Sequence, residues 1–149
     1  MSQIASDVQT SRDIYLLGRG LENVTAREGA LKLKEVARVR AEAFYLGEMK
    51  HGPLSLMEDG SRVILFYSND SYRVAEAAAS ELSVRGARIY GIGPKPLQGA
   101  AFYIRTDDVG VGSPMCQIAP IQLLAYQIAC LRNINPDRPR NLAKSVTVA

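Results

Sequence analysis

Ile14-Tyr15-Leu16-Leu17-Gly18-Arg19-Gly20, followed by Thr25-Ala26-Arg27-Glu28-Gly29-Ala30-Leu31-Lys32-Leu33-Lys34-Glu35-Val36-Ala37, decides the fold. The apolar run Ile14 to Leu17 has the length of a strand, and two glycines around Arg19 permit a tight turn out of it. The helix that follows starts near Thr25, because Ala26, Ala30, Leu33 and Ala37 repeat at the spacing that builds one apolar stripe. A strand feeding a helix that lies back on it is one unit of an α/β sheet. The unit recurs along the chain. Strand-like runs at Val63 to Phe66, Ile89 to Ile92 and Phe102 to Ile104 alternate with helical stretches, one over Ser71 to Val84 and one over Cys116 to Leu131. Val74, Ala78 and Leu82 are in register on the first of these, which Gly86 stops; Ile121, Leu124, Ala125 and Ile128 form the buried edge of the second. The alternation predicts an α/β fold, a largely parallel sheet with helices on both faces. Ligands of such sheets sit at the carboxyl ends of the strands, which points to Gly18-Arg19-Gly20 and Ser68-Asn69-Asp70-Ser71.

The size of the chain, 149 residues with 47% apolar, suits one domain with one two-faced core. Its 18 basic and 15 acidic side chains leave +3, too little and too interspersed for a nucleic-acid or membrane surface, though compatible with small anions. Cys116 and Cys130 lack metal-site spacing and His51 is the only histidine, so free thiols in a reducing cytosol are expected, and neither a metal nor a cofactor. The N-terminus lacks the basic and apolar regions of a secretion signal, and no run of about 18 apolar residues suggests a membrane span. After Asn133 the chain carries Pro136 and Pro139 and reads as an extended loop with a strand-like end.

Several side chains have both a structural and a chemical reading. Ser68 to Ser71 suits a helix cap better than a phosphate site, since Asp70 repels a dianion. Gly18-Arg19-Gly20 lacks the third glycine of a dinucleotide fingerprint, leaving a strand-exit turn or a small anion site. Glu28, Lys32 and Glu35 fall within about 60° of one another on the helix face opposite the stripe, where a carboxylate one turn from an ammonium stays ionised and can accept a proton. A solvated salt-bridged face has the same pattern. His51, in Gly47-Glu48-Met49-Lys50-His51-Gly52-Pro53, sits on a turn, and an imidazole is the side chain suited to general acid or base work near neutrality. Lys144 has an amine that condenses with carbonyls when its pKa is lowered.

Taken together, Leu17-Gly18-Arg19-Gly20, Glu28-Gly29-Ala30-Leu31-Lys32-Leu33-Lys34-Glu35, Ala41-Glu42-Ala43, Lys50-His51-Gly52-Pro53-Leu54 and Pro139-Arg140-Asn141-Leu142-Ala143-Lys144-Ser145-Val146-Thr147-Val148 make a pattern. In order and spacing it resembles the second sugar isomerase (SIS) domain of the glucosamine-6-phosphate synthase family, over nearly the whole chain. The resemblance implies a flavodoxin-like SIS fold over residues 1–149, with a tail over 133–149. It implies aldose-ketose isomerisation of fructose 6-phosphate to the glucosamine 6-phosphate skeleton. Glu35 is then the base between C1 and C2, with Lys32 supporting it electrostatically. His51 assists ring opening and Lys144 engages the C2 carbonyl as a Schiff base, while Ala143 and Gly18-Arg19-Gly20 contact substrate.

Three features depart from that pattern. The family's serine- and threonine-rich phosphate loop, in its first SIS domain, has no counterpart here, so the resemblance implies a separate chain carrying the first SIS domain and the glutaminase. Ala149 stands where the family ends in glutamate, and Ser2 where it has its nucleophilic cysteine, so glutamine hydrolysis is not expected. A homodimer is expected, with His51 serving a neighbouring subunit. Two other readings fit the same residues: a non-catalytic phosphosugar-binding or dimerisation module, and a deglycase-like ketosamine phosphate isomerase.

Overall fold

The computed structural model describes residues 1–142. Five strands, β1 (Asp13–Gly18), β2 (Arg40–Tyr45), β3 (Arg62–Phe66), β4 (Arg88–Gly93) and β5 (Phe102–Arg105), form one sheet in the order β2-β1-β3-β4-β5. All neighbours run parallel. This is the doubly wound arrangement expected from alternating strands and helices, with its order reversing between β1 and β3.

Alternation along the strands divides the interior into two cores. Ile14, Leu16, Ile64, Phe66, Tyr90 and Ile92 face a layer built by α1 (Ser2–Val8), α2 (Glu22–Ala37) and α4 (Ser113–Leu131). Tyr15, Leu17, Val63, Leu65 and Ile89 face the other layer, made by α3 (Tyr72–Val84) and the 3-10 turn Leu46–His51. Because both faces are covered, the central strands are apolar throughout, as parallel strands must be.

The stripe Ala26, Ala30, Leu33 and Ala37 is buried, as are Ile121, Leu124, Ala125 and Ile128. α2 begins at Glu22, ahead of Thr25, since nothing in Leu21 to Val24 breaks a helix. On α3 the buried row is Ala75, Ala79 and Leu82, while Val74 points outward and Ala78 is half-buried. Leu82 belongs to both rows; small alanines at 75 and 79 let the helix approach the sheet more closely than Val74 permits. The sequence reading also misses β2, an edge strand whose alternating Arg40-Ala41-Glu42-Ala43 has little apolar mass, and the short α1. Asp7 fastens α1 to the sheet by accepting hydrogen bonds from Arg62 and Tyr90 and by an ion pair with Arg88.

Gly29 explains the small residue in the middle of α2: a Cβ there would lie 2.9 Å from both Ile121 and Leu16 side-chain atoms. α2 therefore packs tightly on α4 and β1 at that point. The span Gly110–Leu131 is long and apolar enough, with a mean hydropathy of 1.2, to cross a membrane by length and composition, and 33% of that window is buried here. Its buried side supplies Ile121, Leu124 and Ile128 to the core.

Candidate functional site

The outward face of α2 gathers the charged residues that the helical spacing brings together. Lys32 Nζ donates to Glu35 Oε2 at 2.7 Å and lies 3.6 Å from Glu28 Oε1. Lys32 and Glu35 are both half-buried, so the pair is only partly screened by solvent. The hydrogen bond to Glu35 raises the Lys32 pKa above its ordinary value, partial desolvation opposes it, and the charges of Glu35 and Glu28 add to it. Lys32 is thereby a fixed cation. Only one Glu35 oxygen is engaged among the described residues, which leaves the other to accept a proton.

Glu35 opens on a cleft of about 310 Å³ whose other walls are Lys34, Arg38, Arg140, Asn141 and Leu142. The C-terminal segment thus returns to the α2 face that carries Glu35. Ala143 and Lys144 follow Leu142 directly and lie outside the described residues, so their contacts are not part of this geometry.

His51 is elsewhere. It ends the 3-10 turn Leu46–His51, exposed, with Leu46 and Met49 buried beneath it in the α3-side core and Lys50 paired to Glu81 of α3 at 2.8 Å. Glu35 belongs to the α2 layer. One chain therefore holds these two residues on opposite faces of the sheet, and facing layers are separated by about 10 Å on each side.

The switch point between β1 and β3 opens a second cleft, of about 460 Å³, lined by Arg19, Gly20, Glu22, Ser68, Asp70, Ser71 and Asp108 among others. Gly18 lies beneath the first turn of α2, where a Cβ would sit 2.3 Å from the Glu22 carbonyl oxygen; glycine is what lets the helix start so close to the strand. Asp108 accepts hydrogen bonds from Asn69 N–H at 2.7 Å, Gly110 N–H at 3.2 Å and Ser113 Oγ at 2.8 Å. The Asn69 N–H, followed by the Ser113 hydroxyl, holds the Asp108 carboxyl below its ordinary pKa. A carboxylate of the protein itself thus takes donors that a bound phosphate would need. Ser71 stands at the start of α3, but its hydroxyl accepts from Ser68 N–H at 2.9 Å and ties the loop back on itself without capping the helix.

The sequence reading overlooks Asp108, Lys34 and Arg38. Lys34 and Arg38 were recoverable from helical spacing, because they flank Glu35 at one residue and one turn. Asp108 carried a weaker signal, an acidic residue shortly before the Ser113-Pro114 helix start.

Residues 8–132 match the SIS domain family. The isomerizing glutamine–fructose-6-phosphate aminotransferase of Pyrococcus horikoshii is 43% identical over an alignment of 150 positions that covers 98% of this chain and 25% of that protein. The chain thus spans about a quarter of the length of the curated relatives it matches. Among solved structures, the C-terminal domain of the glucosamine-fructose-6-phosphate aminotransferase from Francisella tularensis superposes with a TM-score of 0.82 at 28% identity, covering 92% of this chain and 40% of that one. Glucosamine-6-phosphate deaminase from Thermotoga maritima gives 0.76 at 26% identity, covering 97% and 45%. On its fold and on a match over most of its length, the chain belongs to the SIS domain family and is closely related to the isomerase domain of glutamine–fructose-6-phosphate aminotransferases.

Proposed function

We propose that this chain, as one SIS domain over residues 1–149, moves a proton between C1 and C2 of an open-chain hexose 6-phosphate, fructose 6-phosphate on the side of the amino-sugar product. The observation that carries the reading is the Glu28–Lys32–Glu35 group, whose Glu35 lines the cleft reached by the C-terminal segment. Glu35 accepts the proton from one carbon and returns it to the other. Lys32 keeps the carboxylate in place and ionised between transfers. The Lys144 amine, two residues beyond the described chain, condenses with the C2 ketone and releases water; the resulting iminium makes the neighbouring C–H acidic enough for a carboxylate to remove.

His51 assists ring opening from a second copy of the chain. The opposite-layer placement of His51 and Glu35 supports a homodimer in which each cleft takes its histidine from the neighbour. A first SIS domain on another chain supplies the serine- and threonine-rich phosphate loop, and a glutaminase the ammonia. The free thiols suit a cytoplasmic setting. Exchange of the C1 or C2 proton of fructose 6-phosphate into deuterium oxide, followed by NMR with the chain alone and with a first SIS domain added, tests the reading. Absence of exchange in both arms rejects it in favour of a non-catalytic phosphosugar-binding module.

A further inference from the structure

We propose that the last turn of α2 carries an anion site that takes a phosphomonoester dianion, with Lys34, Arg38 and Arg140 as its cations. The three line the cleft beside Glu35, and none of them forms an ion pair among the described residues. The single carboxylate of that cleft is Glu35, already engaged by Lys32. On the far side of Lys34 and Arg38 a second cleft, of about 470 Å³, adds Arg40 to the positive group. Its carboxylates are Asp13, which Arg12 approaches at 3.7 Å, and Glu42.

Cations near a helix C-terminus usually serve its exposed carbonyls. Here that duty is met by other groups. Arg132 Nη1 donates to the carbonyls of Ala37 and Arg38 at 3.3 Å each, and Val39 N–H closes on the Leu33 carbonyl at 3.1 Å. Lys34 and Arg38 are left over, one turn apart, facing the cleft with Arg140 opposite. Guanidinium groups bind phosphate through paired, charge-assisted hydrogen bonds, which makes two arginines and a lysine a suitable set. The contrast with the switch-point cleft strengthens the choice: there Glu22, Asp70 and Asp108 face one cation, Arg19, and Asp108 has taken backbone and hydroxyl donors.

The preference for a dianion rests on these charges alone; its identity as a phosphomonoester rests on the proposed function. The donor is a phosphorylated metabolite separate from the sugar handled by Glu35, whose 6-phosphate is held by the loop of the first SIS domain. The full chain, labelled with nitrogen-15, is titrated with inorganic phosphate at constant ionic strength, then with fructose 6-phosphate. Saturable shifts at Lys34 to Arg38 and Arg140 to Leu142, with a dissociation constant on the order of 1 mM, are expected. Arg38→Asn, chosen because asparagine tolerates the left-handed backbone at φ 53°, combined with Arg140→Gln should weaken binding about tenfold or more. Arg85→Gln, a charge removed from the α3 layer, should leave it unchanged, and melts of each variant check folding. Displacement of bound phosphate by fructose 6-phosphate, used as a phosphomonoester probe, supports the assigned ligand class; fructose 6-phosphate that shifts these residues without displacing phosphate overturns it. Shifts that do not saturate, equal loss in Arg85→Gln, or shifts centred on Arg19 to Glu22 and Ser68 to Ser71 overturn the proposal. Because Glu35→Gln still binds phosphate if the site exists, loss of catalysis and loss of the site are read separately.

Discussion

Lys32 Nζ and Glu35 Oε2 lie 2.7 Å apart on a face of α2 that takes no part in the core, and Glu28 approaches the same ammonium from the preceding turn. A cation shared by two carboxylates cannot fully satisfy both. Glu35 has the shorter contact and the cleft at its side, and the proposed function gives it the proton transfer.

Glu35→Gln therefore removes proton exchange and leaves the fold. The amide fills the same volume but accepts no proton, and loss of a general base lowers the rate by about 10²- to 10⁴-fold. Because Glu35 lies away from the Ala26, Ala30, Leu33 and Ala37 stripe, the change in stability should stay within about 0.5 kcal/mol. Deuterium exchange and a thermal melt on the same sample read both. Retained exchange takes the role away from Glu35, and a large drop in melting temperature returns the group to a structural salt bridge.

The proposed sharing of each site between two copies predicts a different kind of outcome. His51→Asn and Glu35→Gln chains, each inactive as homodimers, should regain activity when unfolded and refolded together. Half of the randomly paired dimers are mixed, and each mixed dimer holds one site with both native residues, so about a quarter of the native rate is expected. Equal inactivity of the mixture and its components means that His51 and Glu35 do not meet between copies.

Most of the sheet was legible because parallel strands covered on both faces must be apolar, and Ile14 to Leu17 or Val63 to Phe66 cannot be anything else at that length. β2 escaped because an edge strand needs little apolar mass, and the α3 stripe was misplaced by one residue because Leu82 satisfies two helical rows. Glu28, Lys32 and Glu35 were brought together as helical spacing requires. Periodicity carries no information on which layer a turn joins, so the separation of His51 from Glu35 emerges only from the packing of Leu46 and Met49 under α3. The closure of Arg140 to Leu142 on the end of α2 is likewise a long-range contact without a local signal.

Gly29 is a point of close approach between α2, α4 and β1, so its replacement tests how closely α2 must be held. Gly29→Ala gains up to about 1 kcal/mol of helix propensity, but its methyl group meets Ile121 and Leu16 at 2.9 Å, and overpacking costs about 1–3 kcal/mol. A net loss of about 1 kcal/mol is expected from denaturant unfolding. Gly29→Val adds two further carbons and no propensity gain, and should cost more. An alanine variant as stable as the parent would mean that the Leu16 terminus yields freely and that the spacing of α2 from α4 is not set here.

Asp108 ties the loop before α4 to the loop before α3, and its response to pH has a definite sign. Its carboxyl pKa is depressed below the ordinary 3.8 first by the Asn69 N–H and then by the Ser113 hydroxyl, both of which favour the ionised form in the folded state. A group whose folded pKa is lowered contributes stability that is fully present above its unfolded pKa and is lost as the pH falls through the folded value. The contribution is therefore complete at neutrality and is lost progressively as the pH falls below about 4. Asp108→Asn removes the charge-assisted part of three hydrogen bonds and should lower stability at pH 7 by about 1 kcal/mol. The same variant should differ less from the parent at pH 3, since protonation has by then weakened the parent in the same way. Urea unfolding at the two pH values measures the difference. A gap between variant and parent that is as large at pH 3 as at pH 7 would show that Asp108 acts through its shape and not its charge.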